Sequence, residues 1–502
     1  MNNKLLTQKG EMPIVLAGFA ISIFLLLMPR FSFSAMITPS DGQITEAIKR
    51  SLSINFNERY SLLVDIKTKD GIVTLSGVVD NLLTRERAVL IAQTIQGVRA
   101  VVSQIHISRI NRPDQEIEKN LKKAIEEDPV TESYQIDFSV HEGIVTLNGK
   151  VDSYQEKFLA TQVAKGVKGV RKVNNKIKPA PKEHRLDEEI KAEIKRRLKL
   201  NVWIFDGGIT VNVENGKVSL TGTIGSEAEK NRVRYNSWVT GVKEIDDLGL
   251  AINTFIRSED LRKTKPVSLE DDEIRDAVNE VLALDPRVKP AGIKIKVSDG
   301  IVRLEGTVKH FLIKKAAEQD ASNTVGVKKI INNIKVSLNG SPNSDEALAK
   351  KIKNALANHP LTGDVELETK VKDKKVNLHG EVSTLYEKAL VEQVVSSVRG
   401  VENIDNQLSV LFSWPKKNDK KIREDIQNLI SWSLFVNGEN ILVSVENGAA
   451  DLSGKVFDWK GVHRAVEKGF QGGAKIVKTD LTLDNGEVAK AEFNYRDIRV
   501  GL

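Results

Sequence analysis

The chain has 502 residues, 40% hydrophobic and 28% charged, the balance of ordinary soluble domains and long enough for several of them. Its formal net charge of +7 is spread thinly, with Lys and Arg interleaved with Asp and Glu, which reads as solvated surface and argues against a polyanion-binding tract. There is no cysteine, so disulfides, thiolate metal sites, cysteine nucleophiles and a lipidated cysteine anchor are excluded.

At the N-terminus, Lys4 and Lys9 precede an uncharged run from Pro13 to Met28, closed by Pro29-Arg30. As a helix this run would span ~24 Å, short of the ~30 Å hydrocarbon core. With Phe31-Ser32-Phe33-Ser34-Ala35 behind it, the stretch 1–36 reads as a secretory signal peptide or, if retained, as a membrane anchor through residues 13–28. Either reading makes the rest of the chain periplasmic or otherwise exported.

From residue 41 onward one small unit is written six times. Its mark is the word Gly143-Ile144-Val145-Thr146-Leu147-Asn148-Gly149, with Val145 and Leu147 on one face and Ile144, Thr146 and Asn148 on the other. That is the alternation of a half-buried strand. The word's closing glycine recurs at 77, 149, 222, 306, 380 and 454, in steps of 72, 73, 84, 74 and 74 residues. A Gly-Val word (Gly97, Gly169, Gly241, Gly326 and Gly400, with Gly473-Ala474 in the sixth) follows 19 or 20 residues later. Two words locked in step six times establish a repeat before any other feature is weighed.

Each unit opens with a helix whose apolar residues fall four apart, as in Ile117, Leu121, Ile125 or Ile190, Ile194, Leu198, a narrow stripe suited to lie on a sheet. Ser40, Asp114 and Asp187 stand near its N-cap position. A hairpin follows, then a second helix for which the Gly-Val glycine would be the C-cap, then a closing strand. The order α-β-β-α-β in roughly 70 residues makes each unit two helices on one face of a three-stranded sheet, a core that alone supplies only a few kcal/mol. The fold class is therefore α+β, a tandem array of six such domains. The units span 41–109, 113–180, 186–253, 270–338, 343–412 and, most divergent, 418–485. The extra length in the third step marks a linker at 254–269, read as a hinge between two halves of three units. Residues 486–502 are a C-terminal tail that could dock on the last unit.

The two words and their spacing resemble the BON domain, named for the osmotically inducible protein OsmY and nodulation proteins, over about residues 41 to 485. The fifth unit lacks the opening glycine, and the sixth has lost most of both words. The resemblance implies the α-β-β-α-β fold already derived and an OsmY-like envelope protein that contacts phospholipid surfaces or envelope components. It implies no catalysis and offers no catalytic residue to carry over.

The chemistry of the side chains agrees with that implication. None of the seven histidines makes a His-x-x-x-His spacing, no phosphate-cradling or dinucleotide glycine loop occurs, and no metal or cofactor is expected. Gly166-Val167-Lys168-Gly169 spells the GxxG of the KH fold, but it precedes a strand and does not join two helices, so nucleic acid is not an expected partner. Aromatic residues beyond the first helix, Trp203 and Phe205 in unit 3 and Trp432 and Phe435 in unit 6, lie near Lys195, Arg196 and Arg197. As an exposed loop they would suit insertion at a lipid headgroup layer. The plainer reading is that the aromatics pack between units and the basic run is the wet face of a helix. The expectation is an exported, non-enzymatic envelope protein that binds membrane phospholipid or an envelope protein and supports integrity under osmotic stress. The alternative is a spacer or assembly module that contacts proteins, itself included, without lipid affinity.

Overall fold

In a computed structural model the described residues are 39–56, 63–108, 112–128, 131, 136–180, 185–253, 269–288, 292–337, 344–363, 365–410, 417–433, 436 and 440–494. The N-terminal segment and nearly all of the linker lie outside them. The apolar stripes form the first helices of the six units: Asp41–Asn55, Asp114–Glu127, Asp187–Leu200, Asp271–Leu284, Asp345–Asn358 and Asp419–Ser431. Every residue of these stripes is buried, Ile194 and Ile352 completely. The second helices are Leu82–Gln93, Tyr154–Lys165, Glu227–Ser237, Phe311–Ser322, Leu385–Ser396 and Trp459–Gln471.

In each sheet the glycine-bounded strand is central. In unit 3, Lys217–Ile224 pairs antiparallel with Ile209–Glu214 and parallel with Glu244–Ile252, and the other units repeat the pattern. The central strand turns its Val and Leu inward: Val218 and Leu220 are at most 1% exposed, like Val145 and Leu147. Burying such a side chain contributes about 1.5–3 kcal/mol. Units 1, 2 and 3 each enclose their own apolar cluster, whereas those of units 4, 5 and 6 merge into one continuous core. The tail extends that core: Val488–Asn494 adds a fourth strand antiparallel to Ile476–Leu483 and buries Ala489.

A clamp fixes the hairpin to the first helix. Asn215 (φ 54°) and Gly216 (φ 77°) both take the left-handed conformation that a two-residue hairpin of matching twist requires. The carboxylate of Asp187 accepts both of their N–H groups, at 2.6 and 2.9 Å. Asp41, Asp114, Asp271, Asp345 and Asp419 do the same in their units. Asp114 and Asp187 are therefore not N-caps, a position held by Pro113 and Leu186. They are the first helical residues, where a carboxylate also suits the helix dipole. Ser40 is an N-cap, with Gln43 completing a capping box.

The Gly-Val glycine also differs from expectation. The second helices stop two to four residues before it. Gly241 (φ +97°) lies in the turn beyond, where a Cβ would stand 2.8 Å from Cδ1 of Ile190. The word survives because the first helix's leading isoleucine packs onto that backbone, as Ile44, Ile117 and Ile274 do in their units.

Candidate functional site

Residues from Pro39 onward form one compact body, and the contacts that close it repeat one pattern. Residues at or just beyond the end of the first helix of one unit hydrogen-bond to the turn following the second helix of another. In unit 3, Val202 N–H donates to the Asn323 carbonyl of unit 4, and Val325 N–H returns a bond to Leu200, both at 3.1 Å. Lys168 N–H of unit 2 donates to the Asn358 carbonyl of unit 5 at 2.9 Å, and Gln96 N–H of unit 1 to the Trp432 carbonyl of unit 6 at 3.3 Å. Each joint ties one of the first three units to one of the last three, so among the described residues the two halves are in direct contact. Further links run within each half: Lys165 pairs with Glu86 at 2.7 Å, Tyr154 stacks on Trp238 at 4.2 Å, and Lys315 pairs with Glu392 at 2.8 Å.

The joints take up the aromatics that sequence reading offered to a lipid layer. Trp203 and Phe205 are 5% and 6% exposed. Trp203 Nε1 donates to Asn323 Oδ1 at 2.9 Å, so the indole is an element of the unit 3–unit 4 joint and neither ring is available at the surface. Trp432 is half-buried and packs on the core of unit 1. Phe435 lies outside the described residues. Lys195 is exposed, Arg196 is paired with Glu280 across the same joint, and Arg197 is held by Glu193 at 2.7 Å. The three basic residues thus face different surroundings and form no common patch with the aromatics.

The joints border a half-open cavity of about 1470 Å³, lined by residues from all six units and chiefly by their second helices. Ten lysines and arginines line it against five carboxylates. The carboxylates are weaker counter-charges than that ratio suggests. Asp285 is gripped by Arg287, whose guanidinium lies 2.5 Å from Oδ2. Beside it, burial first and then the neighbouring Asp285 push the Asp320 carboxyl well above the usual carboxylate range. Arg87 lies over the Tyr386 ring at 3.1 Å, its Nε without a hydrogen-bond partner. Among the described residues no group of His, Asp and Glu is arranged to hold a metal ion, and no helix is long and apolar enough to cross a membrane.

One joint is expected to respond to pH. His359, beside the Asn358–Lys168 hydrogen bond, accepts Leu361 N–H at its Nδ1 (3.3 Å). Burial lowers its pKa from 6.5 to about 4. The folded form therefore binds fewer protons than the unfolded one between those values, and its stabilising contribution is lost as pH falls through that window. A fully dry ring would lose roughly 3 kcal/mol; with some water contact left, about 1–2 kcal/mol is expected between pH 7 and 4. Urea titrations at both pH values check this: His359→Gln should shrink the difference, and an unchanged pH dependence would refute the assignment.

Sequence reading missed both the aspartate clamp and the cations of the cavity. Each had a signal. The aspartate precedes the second turn residue by 29 or 30 positions in every unit, and Arg464 and Lys468 stand four residues apart on one helix face.

The sequence profile of the BON domain matches residues 40–109, 113–181, 186–248, 270–337, 344–411 and 418–480. Osmotically-inducible protein Y of Escherichia coli (strain K12) is 29% identical to the chain over 145 residues, which cover 28% of this chain and 72% of that protein. Outer membrane lipoprotein DolP of Haemophilus influenzae is 26% identical over 137 residues, covering 26% and 71%. The C-terminal domain of CdsD, a structural protein of the type III secretion system of Chlamydia trachomatis, aligns over 41% of this chain and 96% of its own at 14% identity; its TM-score of 0.12 carries no argument.

Proposed function

The chain belongs to the BON-domain family, and from that premise we propose that it is a non-enzymatic, exported protein of the bacterial envelope. Its six units act as one binding and scaffold body that associates peripherally with membrane phospholipid or an envelope partner. The observation that carries the reading is the set of joints. Six copies of a domain with no reactive constellation have been retained in one chain and locked to each other through aromatic and backbone contacts, an arrangement that serves binding and shape more readily than turnover. The two relatives, by name an osmotically inducible protein and an outer membrane lipoprotein, support an envelope setting and a role under osmotic stress. With Trp203 and Phe205 inside the body, attachment to lipid would be electrostatic, through surface Lys and Arg. The same burial favours the second reading, an assembly module that holds proteins together without lipid affinity.

Co-sedimentation of the full chain with neutral and anionic vesicles, at low and at physiological salt, separates the two. The lipid reading expects binding to anionic vesicles alone, weakened by salt. Absence of binding to anionic vesicles at low salt would sink it and leave the assembly module.

A further inference from the structure

The second helix of unit 6, Trp459–Gln471, presents Lys460, Arg464 and Lys468 on one face. Opposite them stands Arg232, from the second helix of unit 3. Arg232, Lys460 and Arg464 surround the buried Trp203 ring at 5.2, 4.9 and 4.4 Å. Glu467 forms an ion pair with Arg464 and draws on Lys460, Lys468 and, from unit 1, Arg87. Four cations from two units thus gather about one carboxylate, with Arg232 of unit 3 set against Arg464. Two more acidic groups reach them, but both are already engaged: Asp458 accepts Gly461 N–H, and Glu229 accepts Phe205 and Gly225 N–H.

Converging like charges in a half-buried place disfavour the empty state. Burial, with Arg464 next in importance, lowers Arg232 to about 10 and Lys460 to about 8, so both remain mainly charged at pH 7 yet less comfortably than in water. Among the described residues no carboxylate lies at ion-pair distance from Arg232; its close contact is the Trp203 ring. Guanidinium groups in that condition suit the oxygens of a phosphate, which they bind by paired, charge-assisted hydrogen bonds. A cavity of about 1470 Å³ holds more than one such group, since typical small-molecule pockets run about 300–1,000 Å³.

We propose that the central cavity binds a multiply phosphorylated small molecule through Arg87, Arg232 and Arg464, and that its occupant ties units 1, 3 and 6 together. The phosphates could be carried by a free solute or by lipid headgroups, and the chemistry of recognition is the same. The inference does not rest on the peripheral lipid association proposed above.

The test is calorimetric titration of the full chain with inorganic tripolyphosphate at low salt, with thermal melting alongside. Saturable binding and a rise in melting temperature of several degrees are expected. Arg232→Gln and Arg87→Gln should each weaken binding at least tenfold, while Lys195→Gln, an exposed residue outside the cavity, should leave it unchanged. Without ligand, Arg232→Gln relieves the repulsion with Arg464 but gives up the contact with the Trp203 ring, so its melting temperature should change little; a fall as large as the rise given by tripolyphosphate would mark the arginine as structural. Should that variant fold poorly, Arg87→Gln, whose charge is on another unit, decides the matter alone. Anionic vesicles form the second arm. If vesicle binding is lost in Arg232→Gln while tripolyphosphate fails to bind the unmodified chain, the phosphates belong to headgroups and the site stands. No binding of tripolyphosphate, together with vesicle binding absent or indifferent to Arg232 and Arg87, overturns the proposal. Vesicle binding that persists in both variants leaves peripheral attachment intact, so the two ideas fail separately.

Discussion

Gly222→Ala is expected to lower stability by at least about 3 kcal/mol, well outside the range of ordinary surface substitutions. Gly222 closes the central strand of unit 3 with φ +125°, and a Cβ there would lie 2.0 Å from the carbonyl oxygen of Gly208. The obstacle is backbone and cannot swing aside. Gly222 is also paired on both sides, with Ile209 and with Leu250, so a shift that relieved the overlap would break ladder hydrogen bonds in both directions. The conformation alone costs an alanine roughly 1–3 kcal/mol, and the overlap adds to it. Gly292→Ala is the control: its φ is +59°, but no atom stands within 4 Å of its Cβ position, so about 1 kcal/mol is expected from conformation only. Urea denaturation of both variants should separate them clearly. Equal midpoint shifts would mean that the close approach to Gly208 is not what keeps this glycine.

The architecture of the single unit was legible because its determinants are local and repeated. Val145 and Leu147 recur in kind at fixed spacing from Ile117, Leu121 and Ile125, and a stripe of that width has little choice but to cover a strand face. The aspartate clamp was equally periodic but was read as helix capping. A carboxylate at the start of a helix suggests a cap, and its true partners, 28 and 29 residues away in unit 3, become near only after the hairpin forms. The arrangement of the units was not legible at all. The joints that determine it rest on residues that differ from unit to unit, such as Asn323, Asn358 and Trp432, and they connect positions up to several hundred residues apart, so no periodicity points to them. The cavity shares that fate. Arg87, Arg232 and Arg464 belong to units 1, 3 and 6, and in sequence each is one more charge on an amphipathic helix. A net charge of +7 averaged over the chain conceals a concentration that only the joints create.

Trp203→Ala tests the joint itself, and we expect it to cost about 3–5 kcal/mol, the range for truncating a buried tryptophan. Three consequences follow from one deletion. The apolar fill between units 3 and 4 is lost. Asn323 Oδ1, which accepts the indole N–H at 2.9 Å, loses that donor. Arg232, Lys460 and Arg464 lose the ring that lies among them, and a cation over an aromatic face contributes about 0.5–2 kcal/mol. Trp203→Phe separates these effects. It keeps most of the fill and a weaker ring face but no donor, so about 1–2 kcal/mol is expected. Denaturation midpoints and near-ultraviolet circular dichroism of both variants provide the measurement. The reading of Trp203 as a membrane-inserting residue makes the opposite forecast: unchanged stability in Trp203→Ala with vesicle binding lost. A stable Trp203→Ala variant would therefore place the indole at the surface in solution and reopen insertion. An unstable one, rescued in part by phenylalanine, would establish that the aromatic residues of this chain are used to bind its own units together, leaving its charged surfaces and the cavity for whatever else it binds.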